Sequence, residues 1–162
     1  MRSLLTAFLA SMSIAGAANA ANLILDASFE GAAAAWTFSG TSGLTGQPYT
    51  GLASAYVNGP TSCVPCNNGD FSQTVATTIG QKYLVSFWLS DNGAFGDLTA
   101  AFANSVGYSY SGNGTANYAW VQHSFTATAT QASSTFACNG YNLGGTWFID
   151  DVSVTPVASG GV

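Results

Sequence analysis

Residues 81–90 read Gln-Lys-Tyr-Leu-Val-Ser-Phe-Trp-Leu-Ser, and this stretch decides the fold class. Every second side chain is large and apolar, a set made up of Tyr83, Val85, Phe87 and Leu89. Successive side chains of a β-strand point to opposite faces, so this set predicts a strand with one face in a core. The opposite face mixes small polar residues with Trp88. Asp91-Asn92-Gly93 follows, and this combination is typical of a turn.

Similar segments recur on both sides of this strand. They are short, rich in Val, Thr, Phe, Tyr and Trp, and bounded by Gly, Asn, Ser and Asp. The predicted strands are 23–25, 53–58, 71–75, 81–90, 98–104, 106–110, 120–129, 134–138 and 147–155. No segment keeps a helical period over three turns. The pattern predicts an all-β, two-sheet antiparallel β-sandwich of jelly-roll topology, and alternation alone also fits an immunoglobulin-like sandwich.

The N-terminus has the pattern of an export signal. Arg2 supplies a positive charge, an apolar run follows to about residue 17, and Ala18-Asn19-Ala20 is a small-x-small cleavage site. The run is too short and interrupted for a membrane span, which needs about 20 apolar residues. We therefore predict a secreted protein, extracellular or periplasmic. The predicted boundaries are residues 1–20 for the signal peptide, 21–155 for the jelly-roll domain and 156–162 for a flexible tail.

The composition limits the partners of the chain. Seven acidic residues stand against two basic ones, giving a net charge of −5, and beyond the predicted signal peptide Lys82 is the only cation. Neutralising phosphates requires several Lys or Arg side chains, so nucleic acid and anionic membranes are poor partners. Polarity comes instead from Ser, Thr, Asn, Gln and Gly, which suits a domain that hydrogen-bonds neutral ligands.

Three cysteines remain after the predicted cleavage, namely Cys63, Cys66 and Cys138. Exported cysteines pair where geometry permits, but three cannot all pair within one chain. We predict a local disulfide between Cys63 and Cys66. A bridge from one of them to Cys138, or zinc held by the three cysteines and His123, are the alternatives.

Motifs at both ends and in the middle of the domain carry a resemblance. Residues 22–30 read Asn-Leu-Ile-Leu-Asp-Ala-Ser-Phe-Glu with Trp36 after them, residues 80–89 hold the central strand, and residues 148–154 read Phe-Ile-Asp-Asp-Val-Ser-Val. Over residues 22–155 the chain resembles the galactose-binding-like jelly rolls, in particular the carbohydrate-binding-module type of secreted bacterial proteins. It is also similar to exported proteins that carry a Pro-Glu-Pro sorting tail, although that tail is absent here.

The resemblance implies a structural calcium ion between the first and last strands. Its ligands would come from Glu30, Asp151, Asp150 and Asp26, four of the seven acidic residues. Calcium takes six to eight oxygen ligands, carboxylates among them. The alternative is that these carboxylates cap turns. Alternation counted from Ile149 and from Val152 disagrees about Asp150 and Asp151, which a β-bulge would explain.

Aromatic side chains supply the candidate ligand site. The C–H faces of sugars pack on aromatic rings, while polar side chains bond the hydroxyls. The predicted ligand-binding residues are Trp88, Trp120, Gln122, Tyr108 and Tyr110. The alternative is that these rings cover the sheets without binding anything, since aromatic residues are common in strands.

The sequence offers little for catalysis. Glycoside hydrolysis needs two facing carboxyl groups, and His123 is the only imidazole available as a base. No Gly-x-Ser-x-Gly motif is present. We expect no enzyme, but a secreted non-catalytic carbohydrate-binding-like module with a structural calcium site and a poly- or oligosaccharide partner. The alternative is a structural or adhesive extracellular protein without a sugar site.

Overall fold

A computed structural model describes residues 20–58 and 68–158 of the chain. Within them the secondary structure is entirely strands and turns, which confirms the all-β prediction. The strands are β1 (Thr37–Ser39), β2 (Ser42–Thr45), β3 (Ser54–Val57), β4 (Gly69–Ala76), β5 (Lys82–Asp91), β6 (Phe95–Phe102), β7 (Ser105–Asn113), β8 (Asn117–Thr128), β9 (Ser133–Asn142) and β10 (Trp147–Pro156). Over these ranges no helix is long and apolar enough to cross a membrane.

The strands form two five-stranded antiparallel sheets. Sheet A has the order β1-β4-β9-β6-β7 and sheet B the order β2-β3-β10-β5-β8. At most connections the chain passes from one sheet to the other, so most neighbours in a sheet are not consecutive strands, the exceptions being β2 with β3 and β6 with β7. This alternation between two packed sheets is the jelly-roll arrangement.

The core lies between the sheets. The predicted face of β5 turns inward, and Tyr83, Val85 and Phe87 are buried. Phe29, Trp36, Phe71 and Phe136 form an aromatic cluster at one end of the core, with ring centroids 4.9 to 6.3 Å apart. Aromatic pairs at such distances add about 0.5–1.5 kcal/mol each beyond their buried area. This cluster joins the segment before β1 to sheet A.

The segment Leu23–Leu25 differs from the prediction, because it is not a strand. It lies beside β10, where the Leu23 amide donates to the Val154 carbonyl at 2.9 Å. Two side-chain amides replace the rest of a ladder: Asn22 Oδ1 accepts from the Val154 amide, and Gln73 Oε1 accepts from the Leu25 amide, each at 2.8 Å. Leu23–Leu25 is therefore held beside its neighbours by one backbone bond and by side-chain amides, without the regular ladder of a strand.

The β-bulge expected at Asp150 and Asp151 is confirmed. The pairing of β10 with β5 shifts register between Asp150 and Ser153, and Asp151 has a left-handed backbone with φ of 47°. The bulge lets Ile149 and Val152 both face the core, where neither has exposed surface.

Both chain ends and the cysteine loop fall partly outside the described residues. The predicted signal peptide, the Cys63–Cys66 disulfide and residues 159–162 lie there. Val157 is described, and its amide donates to the Lys82 carbonyl at 2.9 Å. Cys138 is a free, fully buried thiol whose pKa is raised by burial. The alternatives, a bridge to Cys138 or a zinc ion, both involve Cys63 or Cys66, which lie outside the described residues, and they stay predictions.

Candidate functional site

The outer face of sheet B carries part of the predicted ligand set. In the pairing of β10, β5 and β8, Asp150 lies opposite Trp88 and Trp88 lies opposite Gln122. Trp120 lies two residues before Gln122 on β8, so the alternation of that strand brings it to the same face. Trp88 and Trp120 are both half-buried, and Gln122 is exposed. The structure therefore brings Trp88, Trp120 and Gln122 together.

Tyr49 completes this surface and is absent from the sequence prediction. Its ring stacks on Trp88 with centroids 3.8 Å apart and planes 17° from parallel, and its centroid lies 5.9 Å from that of Trp120. Tyr49 keeps 39% of its surface exposed. It belongs to the loop of residues 46–53 that joins β2 to β3, here named the β2–β3 loop. We call Tyr49, Trp88 and Trp120 the aromatic platform.

Asp150 holds the β2–β3 loop against the sheet. Its Oδ2 accepts the Tyr49 amide at 2.8 Å and the Thr50 amide at 3.1 Å, while Oδ1 accepts the Asp151 amide at 2.7 Å. The Asp150 side chain has no exposed surface. Burial raises its pKa and the neighbouring Asp151 adds to this, whereas the three amide donors oppose the shift. Asp150 thus fixes the backbone that carries the Tyr49 ring.

Glu30 holds the other end of the same loop, and Asp151 adds a bond to its middle. Glu30 Oε1 accepts the amides of Leu52 at 2.8 Å and Ala53 at 2.9 Å. The Thr50 hydroxyl donates to Asp151 Oδ1 at 2.9 Å. Three of the four carboxylates predicted to bind calcium therefore act on one eight-residue loop.

Asp26, the fourth predicted calcium ligand, holds its own turn instead. Its Oδ1 accepts the Gly31 amide at 2.8 Å and its Oδ2 accepts the Ala33 amide at 3.1 Å. This is the turn-capping role that Asp side chains commonly take.

In this arrangement the carboxylates of Asp150 and Glu30 accept hydrogen bonds from backbone amides. Calcium is bound by oxygen atoms, whereas the oxygens of Asp150 and Glu30 Oε1 face N–H donors. Across residues 20–58 and 68–158, no three His, Cys, Asp or Glu side chains are grouped so that they could hold a metal ion. The calcium site stays a prediction for solution experiments.

Tyr108 and Tyr110 lie apart from the platform. Tyr108 faces the interior, with its ring centroid 5.3 Å from that of Phe87 and 4.4 Å from that of His123. Its hydroxyl lies 3.3 Å from His123 Nε2. Phe87 and Trp88 point to opposite faces of β5, so the predicted ligand set is divided between two regions of the molecule.

The outer face of sheet A has a different chemistry. Across the middle of this sheet Asp70, Asn139, Thr99 and Ser109 are paired in register. Polar side chains bond one another along the face, as in the 2.8 Å contact between the hydroxyls of Thr74 and Thr135. Tyr141, opposite Asp97, is a large aromatic side chain of this face, and Phe95, two residues before Asp97 on β6, is 49% exposed.

Comparison with solved structures identifies the architecture. A family 61 carbohydrate-binding module, solved in complex with β-1,4-galactotriose, superimposes with a TM-score of 0.62 at 16% identity, covering 85% of this chain and 99% of that one. The xylan-binding family 22 module from Paenibacillus barcinonensis Xyn10C gives 0.54 at 15% identity, covering 76% and 86%. The fold is that of carbohydrate-binding modules. This resolves the choice between jelly-roll and immunoglobulin-like sandwiches in favour of the galactose-binding-like jelly roll.

The carbohydrate-binding-module fold also occurs as part of a larger protein. The enzymatically active domain of tailspike protein 4 from bacteriophage CBA120 matches with a TM-score of 0.64 at 16% identity, over 84% of this chain but only 21% of that one. No family model matches the sequence, and no curated protein does. At these identities the likeness establishes the fold, and the function has to be argued from the residues.

Proposed function

We propose that this chain is an exported, non-catalytic module that binds poly- or oligosaccharides at the aromatic platform. The observation that carries the proposal is the placement of Tyr49 and Trp120, whose ring planes are inclined at 54° on an outer face of the sandwich. Two adjacent, partly exposed rings offer the apolar surface on which the C–H faces of sugars pack.

Polar groups beside the platform suit the hydroxyls of a neutral glycan. Gln122, opposite Trp88, is exposed and has both a donor and an acceptor. Lys82 is the only cation beyond the predicted signal peptide, so the surface offers little to sulfate or uronate groups. A module of the same fold has been solved with β-1,4-galactotriose, and the CBM22-1 and GH10 modules of a Clostridium thermocellum xylanase have been solved together with xylohexaose. These complexes support a saccharide as the ligand class.

The groups that would serve catalysis are engaged in structure, which supports a non-catalytic role. Asp150 and Glu30 accept backbone amides, and His123 is paired with the Tyr108 hydroxyl in a half-buried position. General acid–base catalysis needs a group free to exchange a proton with the substrate. We propose that these carboxylates and the imidazole organise the fold.

A structural or adhesive role without a sugar site is the second candidate. The observation that favours it is the close stack of Tyr49 on Trp88, because a ring that covers Trp88 also removes its face from solvent. Under this proposal the platform only fastens the β2–β3 loop. Removing Trp120 would then change stability without changing any affinity.

The decisive experiment compares polysaccharide binding by Trp120→Ala and Tyr141→Ala. Tyr141 is the control, because it is an aromatic residue of β9 in sheet A, away from the platform on sheet B. Truncating an aromatic hot spot costs about 2 kcal/mol or more, roughly 30-fold in affinity. We expect that loss for Trp120→Ala alone, measured by affinity electrophoresis against a panel of soluble neutral polysaccharides. Equal affinities for both variants and the parent would support the structural role.

The calcium ion implied by the resemblance is proposed separately and tested by thermal melting. The support is that Glu30, Asp150 and Asp151 all act on the β2–β3 loop. A ligand that binds only the folded state raises its stability, by about 2.7 kcal/mol at 100 times the dissociation constant. A higher Tm in calcium than in chelator supports the ion. Identical Tm values would mean that the β2–β3 loop is held by hydrogen bonds to the carboxylates without a calcium ion.

A further inference from the structure

A small cavity lies between the edges of the two sheets, on the side of β5 opposite the platform. It has a volume of about 100 Å³ and is lined by residues of β5, β7 and β8. This is room for several water molecules or for one small organic unit, but not for a run of sugar units. The walls that matter for its chemistry are Asp91, Tyr108, Tyr110, Asn117, Val121 and His123.

Asp91 supplies a fixed acceptor in this cavity. Its side chain is only 4% exposed. Oδ1 accepts the amides of Gly93 at 3.0 Å, Ala94 at 3.3 Å and Asn117 at 3.4 Å. Among the described residues no hydrogen bond to Oδ2 is found, and Oδ2 is not one of the buried side-chain oxygens without a partner. Oδ2 therefore reaches solvent, and a ligand hydroxyl that displaces water can donate to it.

Tyr108 and His123 supply neutral hydrogen-bonding groups. The Tyr108 hydroxyl and His123 Nε2 are 3.3 Å apart, and their rings are in contact. Burial, with Tyr110 and Cys138 nearby, raises the pKa of Tyr108 to about 12, and burial lowers the pKa of His123. At neutral pH the cavity therefore presents an uncharged phenol and an uncharged imidazole beside the single carboxylate.

The remaining walls are apolar or aromatic. The Tyr110 ring is half-buried and lines the cavity together with Val121. No Lys or Arg lines the cavity, so an anionic ligand would find no compensating charge there. Hydroxyl acceptors, neutral donors and an apolar wall in one small space match a single uncharged sugar ring.

We propose that this cavity binds a single neutral monosaccharide unit, such as the end of a glycan chain, as a site separate from the aromatic platform. The proposal rests on the proposed function, since it assigns a second subsite to a saccharide-binding module. Asp91 Oδ2 accepts a sugar hydroxyl, the Tyr108–His123 pair bonds another, and Tyr110 covers a C–H face. Under this proposal the platform binds several consecutive sugar units of a glycan, and the cavity binds one unit.

His123 makes this proposal directly measurable, because it is the only histidine in the chain. Its imidazole C–H signals in a proton NMR spectrum of the mature protein report on the cavity alone. We expect a saturable shift of these signals with at least one of galactose, glucose, mannose and xylose. The shift should require at least tenfold more sugar in Tyr110→Ala and in Asp91→Asn, which replaces the Oδ2 acceptor by a donor.

Two comparisons keep the outcomes separate. Tyr118→Ala, which lines neither the cavity nor the platform, should titrate like the parent. Trp120→Ala should lose polysaccharide binding and keep the His123 shift. Polysaccharide affinity therefore reports on the platform, and the His123 shift reports on the cavity. The cavity proposal is overturned if no monosaccharide shifts His123, if methylammonium or acetate does so while sugars do not, or if the shift is unchanged in both folded cavity variants.

Discussion

The outer faces of the two sheets are covered in different ways. On sheet A short polar side chains bond their cross-strand neighbours, as Thr74 and Thr135 do, and the face needs no cover. On sheet B two tryptophans stand on the outer face, and the β2–β3 loop folds over them with Tyr49 stacked on Trp88. The loop is in turn fastened by a fully buried carboxylate.

The difference shows that a cluster of exterior aromatic rings is not a requirement of this sandwich. Most of the outer face of sheet A is built from short polar side chains, with Tyr141 beside Asp97 as an aromatic exception. Sheet B adds large rings, a dedicated loop and the burial of Asp150, and burying a carboxylate is unfavourable unless it is hydrogen-bonded. An arrangement that goes beyond what the fold needs points to a role in binding, and it can be tested by disturbing one face against the other.

The largest effect is expected from Asp150→Ala. The change leaves the amides of Tyr49, Thr50 and Asp151 without their acceptor, and an unsatisfied buried donor costs about 1–3 kcal/mol. We expect the free energy of unfolding to fall by about 3 kcal/mol or more, measured by urea denaturation. The control on sheet A is Asp97→Ala, an exposed carboxylate bonded to the Ser111 hydroxyl, expected to change stability by about 0.5 kcal/mol at most. An equal loss of unfolding free energy in the two variants would mean that Asp150 stabilises the fold no more than an exposed carboxylate does.

Removing Tyr49 tests whether its ring also contacts the ligand. Tyr49→Ala leaves Asp150 with its amide partners, since these are backbone groups, but removes one of the two partly exposed rings. We expect affinity for the bound polysaccharide to fall about 30-fold, the scale of a lost hot-spot aromatic. Loss of the stack on Trp88 should lower the free energy of unfolding by only about 0.5–1.5 kcal/mol. Tyr141→Ala on sheet A should retain the parental affinity. A loss in Tyr141→Ala and none in Tyr49→Ala would move the binding surface to sheet A.

A glycine substitution tests the loop without touching any ring. Gly51 has φ of +70°, and a Cβ there would lie 2.3 Å from Glu30 Oε1. Gly51→Ala should therefore lower the free energy of unfolding by about 1–2 kcal/mol, seen as a lower Tm. Gly46 lies in the same loop with nothing within 4 Å of the position of a Cβ, so Gly46→Ala is a matched control expected to be neutral. Equal Tm values for the two variants would contradict the role of Glu30 in holding the β2–β3 loop.

The smallest effect concerns pH and the inner side of sheet B. Burial lowers the pKa of His123 below its ordinary value of 6.5, so the unfolded chain binds a proton more readily than the folded one. Stability from this group is complete above pH 6.5 and is lost as pH falls through the window between 6.5 and the lower folded pKa. His123→Gln should flatten the dependence of Tm on pH across that window. An unchanged slope would show that another group titrates there.

The sequence predicts the fold well because strand alternation is local. The core-facing side chains of β5 and the bulge at Asp150 and Asp151 both follow from the alternation of side chains along a strand. The prediction of a strand at Leu23–Leu25 was wrong because side chains make most of the hydrogen bonds that a strand ladder would make. Asn22 accepts the Ile24 and Val154 amides, and Gln73, 48 residues away from Leu25, accepts the Leu25 amide.

The candidate site is less predictable because loops and sheet edges decide it. Tyr49 depends on a contact with Asp150 at a sequence separation of 101 residues, which no local pattern reveals. The available signal was its position between Gly46-Gln47-Pro48 and Thr50-Gly51, where an aromatic residue has no strand to stabilise. Alternation placed Tyr108 on a strand but could not say which of the two sheets, or which side of it, that strand would occupy.

The position of Asp150 near the end of the chain has a consequence for the order of assembly. β10 pairs on one side with β3 and on the other with β5, and Asp150 on β10 fastens the loop that carries Tyr49. During synthesis the surface therefore lacks this support until β10, the last strand of the domain, has been added. The stacked rings are fixed in place only when β10 has joined both of its neighbours in sheet B.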